Sequence, residues 1–282
     1  MDDLVISAIS IYDFEKIKHW VNSLERTGYN GRKAMIVFNV LDDTIKKLQE
    51  HGFEIFLVAN QRNKDNDGFH FMDNFGYQVP TLRHYFYWKF LKDLKDIRYV
   101  ISTDVDIVFQ SNPSEWLTKN MNDKKLNYGG EGLKYKDEPW GYDNIGQCFG
   151  PDIRNHLSDT QIYNAGSMAG EFKTFVDYSL TLALMIEGIK NPVPDQAAVN
   201  VLLSTEPYKS ITNFNGGDSN WACQCGTMAD PSKMDQFRPN LMCKEPVFED
   251  SYVYNTVGEK YVMVHQYNRV PEWKKILEEK YS

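Results

Sequence analysis

The stretch from Arg98 to Pro113, RYVISTDVDIVFQSNP, constrains this chain more than any other. Tyr99-Val100-Ile101 reads as a buried strand, followed by two acids, Asp104 and Asp106, and then by Ile107-Val108-Phe109. Residues two apart on an extended chain point the same way, so the two carboxylates share a side. A strand this apolar has no solvation reason to end in two acids. Like charges that close repel unless a cation bridges them, and hard oxygen ligands suit Mg²⁺ or Mn²⁺. A cation held by one or two carboxylates keeps positions open for a diphosphate. The plainer alternative is a strand that ends in a solvated Asp-Val-Asp turn.

The chain on either side decides what such a site sits on. Leu4 to Ile9, Ala34 to Val40 and Phe53 to Ala59 read as strands. Between them lie a helix capped by Asp13, with Phe14, Ile17, Val21 and Leu24 inward, and a short helix from Asp43 to His51. That β-α-β-α-β order predicts an α/β fold with a Rossmann-like, mostly parallel sheet flanked by helices. The Gly-x-Gly-x-x-Gly turn of dinucleotide dehydrogenases is absent after the first strand, where Ser10-Ile11-Tyr12-Asp13 stands. Gln61 to Gln78 reads as a loop pinned by Phe69, Phe71 and Phe75. Pro80 then opens a helix burying Leu82, Phe86, Phe90 and Leu94, with Arg83 outside that stripe, either a solvated charge or a phosphate or sugar contact.

Beyond the acidic pair, Ser114 reads as the cap of a short helix and Leu126 to Gly130 as an antiparallel strand. Residues 131–160, with Trp140 and Tyr142, show little periodicity and read as an acceptor-side insertion. A helix from Glu171 to Ile189 follows, then one over Ala197 to Leu203 capped by Asp195. Residues 213–231 are loop-like, Tyr261 to Val264 is a strand ending in His265, and Pro271 to Lys280 is a helix. No repeat or linker divides the chain. The expectation is a single domain over 1–282, with 1–113 as a nucleotide-binding half and 114–282 as an acceptor half carrying the last strand.

Composition excludes some classes. The net charge is -8 and no Lys/Arg block occurs, which disfavours a nucleic-acid groove. No apolar run approaches the ~18 residues of a membrane helix, and the acidic start has no signal-peptide character. Cys148, Cys223, Cys225 and Cys243 lack zinc-ligand spacing, so free thiols and a cytoplasmic location are expected. Nothing in the sequence addresses oligomeric state.

Asp104-Val105-Asp106, Asn164-Ala165-Gly166, Asp195-Gln196 and His265 stand in that order, each at a strand end or helix start. This resembles the GT-A glycosyltransferases, and most of all the retaining group of glycogenin and the lipopolysaccharide galactosyltransferases. That group carries Asp-x-Asp, Asn-Ala/Ser-Gly, Asp-Gln and a C-terminal His-x-x-Gly-x-x-Lys-Pro-Trp. The resemblance implies a Mn²⁺- or Mg²⁺-dependent hexosyltransferase, using a nucleotide-diphosphate sugar, with UDP the expected nucleotide, and a carbohydrate or other hydroxyl acceptor. It implies Asp104, Asp106 and His265 as metal ligands, with Asp104 also touching the donor. Asn164 and Ala165 would hold the donor sugar, Asp195 its hydroxyls, and Gln196 would lie near the anomeric carbon. Arg83 would contact the donor, and Tyr12 would stack near the base.

The C-terminal segment departs from that pattern, with Asn268 for Gly and Pro271 for Lys. Arg269 or Lys274 would then meet the diphosphate. Ser10 and Ile11 stand where an acid and an amide often read the nucleotide. Retention is the expected stereochemistry, since an inverting enzyme needs a carboxylate base, for which Glu131 and Asp218 are the candidates. Two other readings stay open. One is a haloacid-type phosphohydrolase with Asp104 as nucleophile, though there the motif usually lies near the N-terminus. The other is a non-catalytic sugar- or nucleotide-binding module.

Overall fold

The structure, a computed structural model, describes residues 1–58 and 77–282. The loop expected over Gln61 to Gln78, with its three phenylalanines, falls almost wholly outside the described residues. The first half alternates strand and helix: β1 (Asp2–Ser10), α1 (Phe14–Arg26), β2 (Arg32–Phe38), α2 (Asp42–Glu50), β3 (Phe53–Val58), α3 (Val79–Leu91) and β4 (Ile97–Thr103). Next come β5 (Ile107–Phe109), α4 (Pro113–Asn120), β6 (Leu126–Lys134), α5 (Pro139–Leu157), β7 (Gln161–Glu171), α6 (Phe172–Ile186) and α7 (Asp195–Leu203). The chain closes with α8 (Tyr208–Ile211), β8 (Thr212–Asn215), β9 (Ala222–Gln224), α9 (Cys225–Met228), α10 (Met234–Phe237), β10 (Val247–Glu249), β11 (Tyr252–Tyr254), β12 (Met263–His265) and α11 (Pro271–Lys280).

Seven strands form the main sheet in the order β3-β2-β1-β4-β7-β6-β8. β1 is parallel to both β2 and β4, and β2 to β3, while β7 runs antiparallel to β4 and β6. Both faces are covered, so β1 reads as a continuous apolar run rather than an alternating one. Leu4 and Ile6 pack on the side of α3, α6 and α7, and Val5 and Ile9 on the side of α1 and α4.

Several local expectations are corrected. Residues 131–160 are no irregular insertion. They continue β6 and then form α5, whose two segments meet at Gly150 (φ 84°) before Pro151. Periodicity is lost there because glycine and proline break the helix and its buried face is narrow. Residues 213–231 hold β8, β9 and α9, elements too short to show a period. Asn112, not Ser114, caps α4, its side chain accepting from the Ser114 amide, because Pro113 takes the first helical position.

Two features fix the end of β4, where the site lies. Trp20 from α1, fully buried, donates its indole N–H to the Thr103 hydroxyl at 2.9 Å. The Ser7 hydroxyl donates to the Thr103 carbonyl at 2.6 Å. A second, three-stranded sheet, β5-β12-β9, begins directly beyond. It carries the chain's C-terminal part back to the acidic pair.

Candidate active site

Asp104 leaves β4 with its amide bonded to the Gly166 carbonyl of β7 at 2.9 Å. Asp106 sits one residue before β5, which pairs antiparallel with β12 so that His265 faces Ile107. The Gln266 amide donates to the Asp106 carbonyl at 3.0 Å, closing the turn. His265 Nε2 thereby lies 3.4 Å from Asp104 Oδ2 and 3.2 Å from Asp106 Oδ1. One ligand atom from each of the three residues lies within 4.8 Å of the other two.

The donor set fits a divalent cation. His265 Nε2 is buried and has no hydrogen-bond partner, although it points at two carboxylates. Its other nitrogen, Nδ1, lies 2.7 Å from Gln224 Oε1, and Gln224 in turn donates from Nε2 to Ser167 Oγ at 2.7 Å. With the Gln224 amide anchored in that sense, Nδ1 carries a proton toward Gln224, and Nε2 is the atom left to face the carboxylates, where it takes up a proton or, in its place, a cation. Burial opposes a charge on His265, but Asp106 and Asp104 outweigh it and push its pKa up to about 10. The site therefore strongly attracts positive charge.

For Arg83 the sequence leaves open a solvated charge or a phosphate or sugar contact, and the structure excludes the first. The Arg83 side chain is 3% exposed and turns inward from α3. The guanidinium meets Asp104 Oδ1, donates to the Ala165 carbonyl at 2.8 Å and reaches Asp195 Oδ2 at 3.4 Å. Burial resists ionisation of Asp104, yet Arg83 and His265 hold its carboxyl well below the usual range. Asp195 is likewise buried, and there desolvation prevails over Arg83, raising its pKa. Asp195 is the first residue of α7, the cap position belonging to Pro194, and its carboxylate serves the arginine.

Asn164, Ala165 and Gly166 line the same space. Asn164 Nδ2 donates to Glu131 Oε1 at 2.8 Å, and Asn164 Oδ1 accepts from the Gly166 amide at 2.7 Å. Gln196 Nε2 donates to the same Glu131 oxygen at 3.0 Å. Burial raises the Glu131 pKa, and the two amides oppose it. Gly166 leaves room for these side chains: a Cβ on it would stand 2.8 Å from Asp104 Cγ and 2.9 Å from His265 Cε1.

These groups border a cavity of about 330 Å³, whose wall also includes Glu138, Trp140, Lys233 and Arg269. Arg83, Asp104, Asn164, Ala165, Asp195, Gln196, His265 and Arg269 thus converge on one space. Tyr12 does not line it. That ring lies just past β1, after Ile11 (φ 54°), 40% exposed with Lys16 Nζ 5.7 Å from its centroid. Lys274 is not in the wall either, so Arg269 is the cation at hand. Of the two base candidates, Glu131 lies in the cavity and Asp218 does not; Asp218 accepts instead from the Thr256 hydroxyl at 3.2 Å. Gln224 went unread in the sequence. The alternation Cys223-Gln224-Cys225, with both cysteines buried away from the site, was the available signal.

No family model matches the sequence, and no curated protein does. Solved structures do match over nearly the whole chain. The galactosyltransferase LgtC, in complex with donor and acceptor sugar analogues, aligns with a TM-score of 0.55 at 14% identity, covering 97% of this chain and 95% of LgtC. Mouse xyloside xylosyltransferase 1 aligns with a TM-score of 0.51 at 12% identity, covering 94% and 97%. The glycosyltransferase GlyE of Streptococcus pneumoniae aligns with a TM-score of 0.54 at 13% identity, covering 99% of this chain and 63% of GlyE. The chain has the GT-A fold of these glycosyltransferases. No helix among the described residues is long and apolar enough to cross a membrane.

Proposed function

We propose that the protein is a metal-dependent glycosyltransferase that moves a hexose from a nucleotide-diphosphate sugar to a carbohydrate or other hydroxyl acceptor, with retention. One observation carries the reading: the buried His265 Nε2 converges with the carboxylates of Asp104 and Asp106, beside a polar cavity that Asp104 and His265 line. A GT-A fold supports it, since the fold puts that trio beyond the end of the central strand.

Asp104, Asp106 and His265 would hold Mn²⁺ or Mg²⁺, which when bound offsets charge on a leaving diphosphate and fixes its orientation. Every other part is supplied by the chain itself. Arg83 locks Asp104 in its ionised form and binds Asp195 and the Ala165 carbonyl, so three donor-facing groups share one rigid anchor. Arg269, exposed at the rim and without an ion pair among the described residues, is free to meet the diphosphate where the related pattern has lysine. Gln196 and Asn164 share Glu131, which orients both amides toward the sugar. Retention is favoured because Glu131, the base candidate that lines the cavity, spends Oε1 on the Asn164 and Gln196 amides and so serves to position them. Gln196 remains as the polar group beside the anomeric carbon, and UDP as the expected nucleotide.

The phosphohydrolase reading requires Asp104 to be free as a nucleophile, and its two oxygens are engaged by Arg83 and His265. The test is a thermal-shift screen of UDP, GDP and their sugars with and without Mn²⁺. The proposal expects stabilisation by a nucleotide only when the cation is present. A shift that is equal in chelator, or none with any nucleotide, contradicts it.

A further inference from the structure

We propose that the outer end of the cavity is a saccharide subsite built on Trp140, so that the acceptor is itself a sugar rather than a peptide or lipid hydroxyl. The identification of this sugar as acceptor rests on the transferase reading, while its binding does not. Trp140 is 53% exposed and is the only tryptophan classed as exposed among the described residues, Trp20 and Trp221 being fully buried. It also lines the cavity that holds the catalytic candidates. A large indole left in water beside a polar cavity is a ligand platform more readily than a packing defect. Its flat face suits the C–H face of a pyranose, while its edge stays wet.

The backbone that carries the ring is fixed at a capped helix start. Pro139 and Trp140 open α5, and Glu138 caps it by accepting from the Gly141 amide at 2.5 Å. Gly141 keeps that approach close, since a Cβ there would stand 2.9 Å from the carboxylate oxygen. Glu138 is 5% exposed, and only Oε2 is spent on the cap. Oε1 has no hydrogen bond among the described residues and belongs to a residue of the cavity wall. Lys233 faces the same space without an ion pair among the described residues, its ammonium 5.6 Å from the Phe237 ring.

An aromatic face that shares a cavity wall with one free carboxylate oxygen and one free ammonium matches what a pyranose offers: an apolar C–H face ringed by hydroxyls that both donate and accept. A peptide would need an open strand edge or apolar anchor pockets, and this wall is mostly polar. A lipid would need a continuous apolar lining, which Glu131, Glu138 and Lys233 interrupt.

Saturation-transfer NMR on the full chain tests the subsite, using methyl β-galactoside, methyl β-glucoside, lactose and cellobiose, with a Ser/Tyr-containing peptide as the competing class. The wild type is expected to transfer saturation to at least one saccharide, most strongly to the C–H protons of one face. Trp140→Ala is expected to weaken that binding tenfold or more at unchanged Tm, Trp140→Phe to keep it within about threefold, and Glu138→Gln to weaken it less than Trp140→Ala does. Binding of UDP with Mn²⁺ should be the same in wild type and Trp140→Ala. Equal saccharide binding in Trp140→Ala, no saccharide signal in the wild type, or a peptide signal lost with Trp140 overturns the proposal. Saccharide binding that persists with no transfer from any donor would instead refute the transferase reading and leave the subsite standing.

Discussion

Replacing Gly166 by alanine adds one methyl group at the most crowded point of the site. Its carbon would stand 2.8 Å from Asp104 Cγ and 2.9 Å from His265 Cε1. Carbon atoms pack at ~3.5 Å or more, so each ligand must retreat by roughly 0.6 Å. Metal sites tolerate ligand displacements of about 0.2 Å, and a misplacement of ~1 Å costs about 10²-fold in rate. The retreat is blocked on both sides: Arg83 holds Asp104, and Gln224 holds His265 from behind. Overpacking of this kind destabilises by ~1–3 kcal/mol, so the protein stays folded. Gly166→Ala is therefore expected to weaken Mn²⁺ binding at least tenfold, read by EPR of free Mn²⁺, while circular dichroism remains native. Affinity within threefold of wild type would refute the reasoning, for it would mean that the three ligands do not act on a common ion.

Other outcomes follow from neighbouring groups. Arg83→Ala strands the buried carboxylate of Asp195 and takes a cation from the half-buried Asp104, which costs ~3–5 kcal/mol and ~5–10 °C in Tm; an unchanged Tm in calorimetry would return Arg83 to a purely donor-facing role. Gln224→Leu removes the acceptor that sets the His265 tautomer and is expected to lower metal affinity about 10–100-fold with little loss of stability, an effect that Mn²⁺ titration reads directly. Gln196→Ala is expected to slow transfer far more than it weakens nucleotide binding, and product NMR to show retained anomeric configuration. An inverted product would hand the base role to Glu131.

Much of the Asp104-Asp106-His265 cluster was legible in the sequence, because a strand's two-residue period puts Asp104 and Asp106 together and His265 ends another apolar strand. The burial of Arg83 between two carboxylates was not, although the residue itself was singled out. Its partners lie at 165 and 195, and a helical wheel cannot tell a charge turned toward solvent from one turned into a polar pocket. Gln224 was hidden for a different reason, since β9 spans three residues and offers no period to read. Trp140 was visible as a residue, but α5 breaks at Gly150, and the masked rhythm disguised a rigid helix start as an insertion. The parallel half of the sheet was readable because its crossovers are local. The pairing of β12 with β5, which completes the site, joins residues more than half the chain apart.

The most direct test of the central claim is a donor-turnover assay. UDP-hexoses would be supplied with a saccharide acceptor, and nucleoside diphosphate and glycoside product quantified by mass spectrometry. Wild type with Mn²⁺ is predicted to release one nucleoside diphosphate per glycoside formed, with activity lost in excess chelator and in Asp106→Ala, which should keep its native Tm. Undiminished turnover in chelator or in folded Asp106→Ala, or hydrolysis of simple phosphate esters through a phosphorylated Asp104, would contradict it.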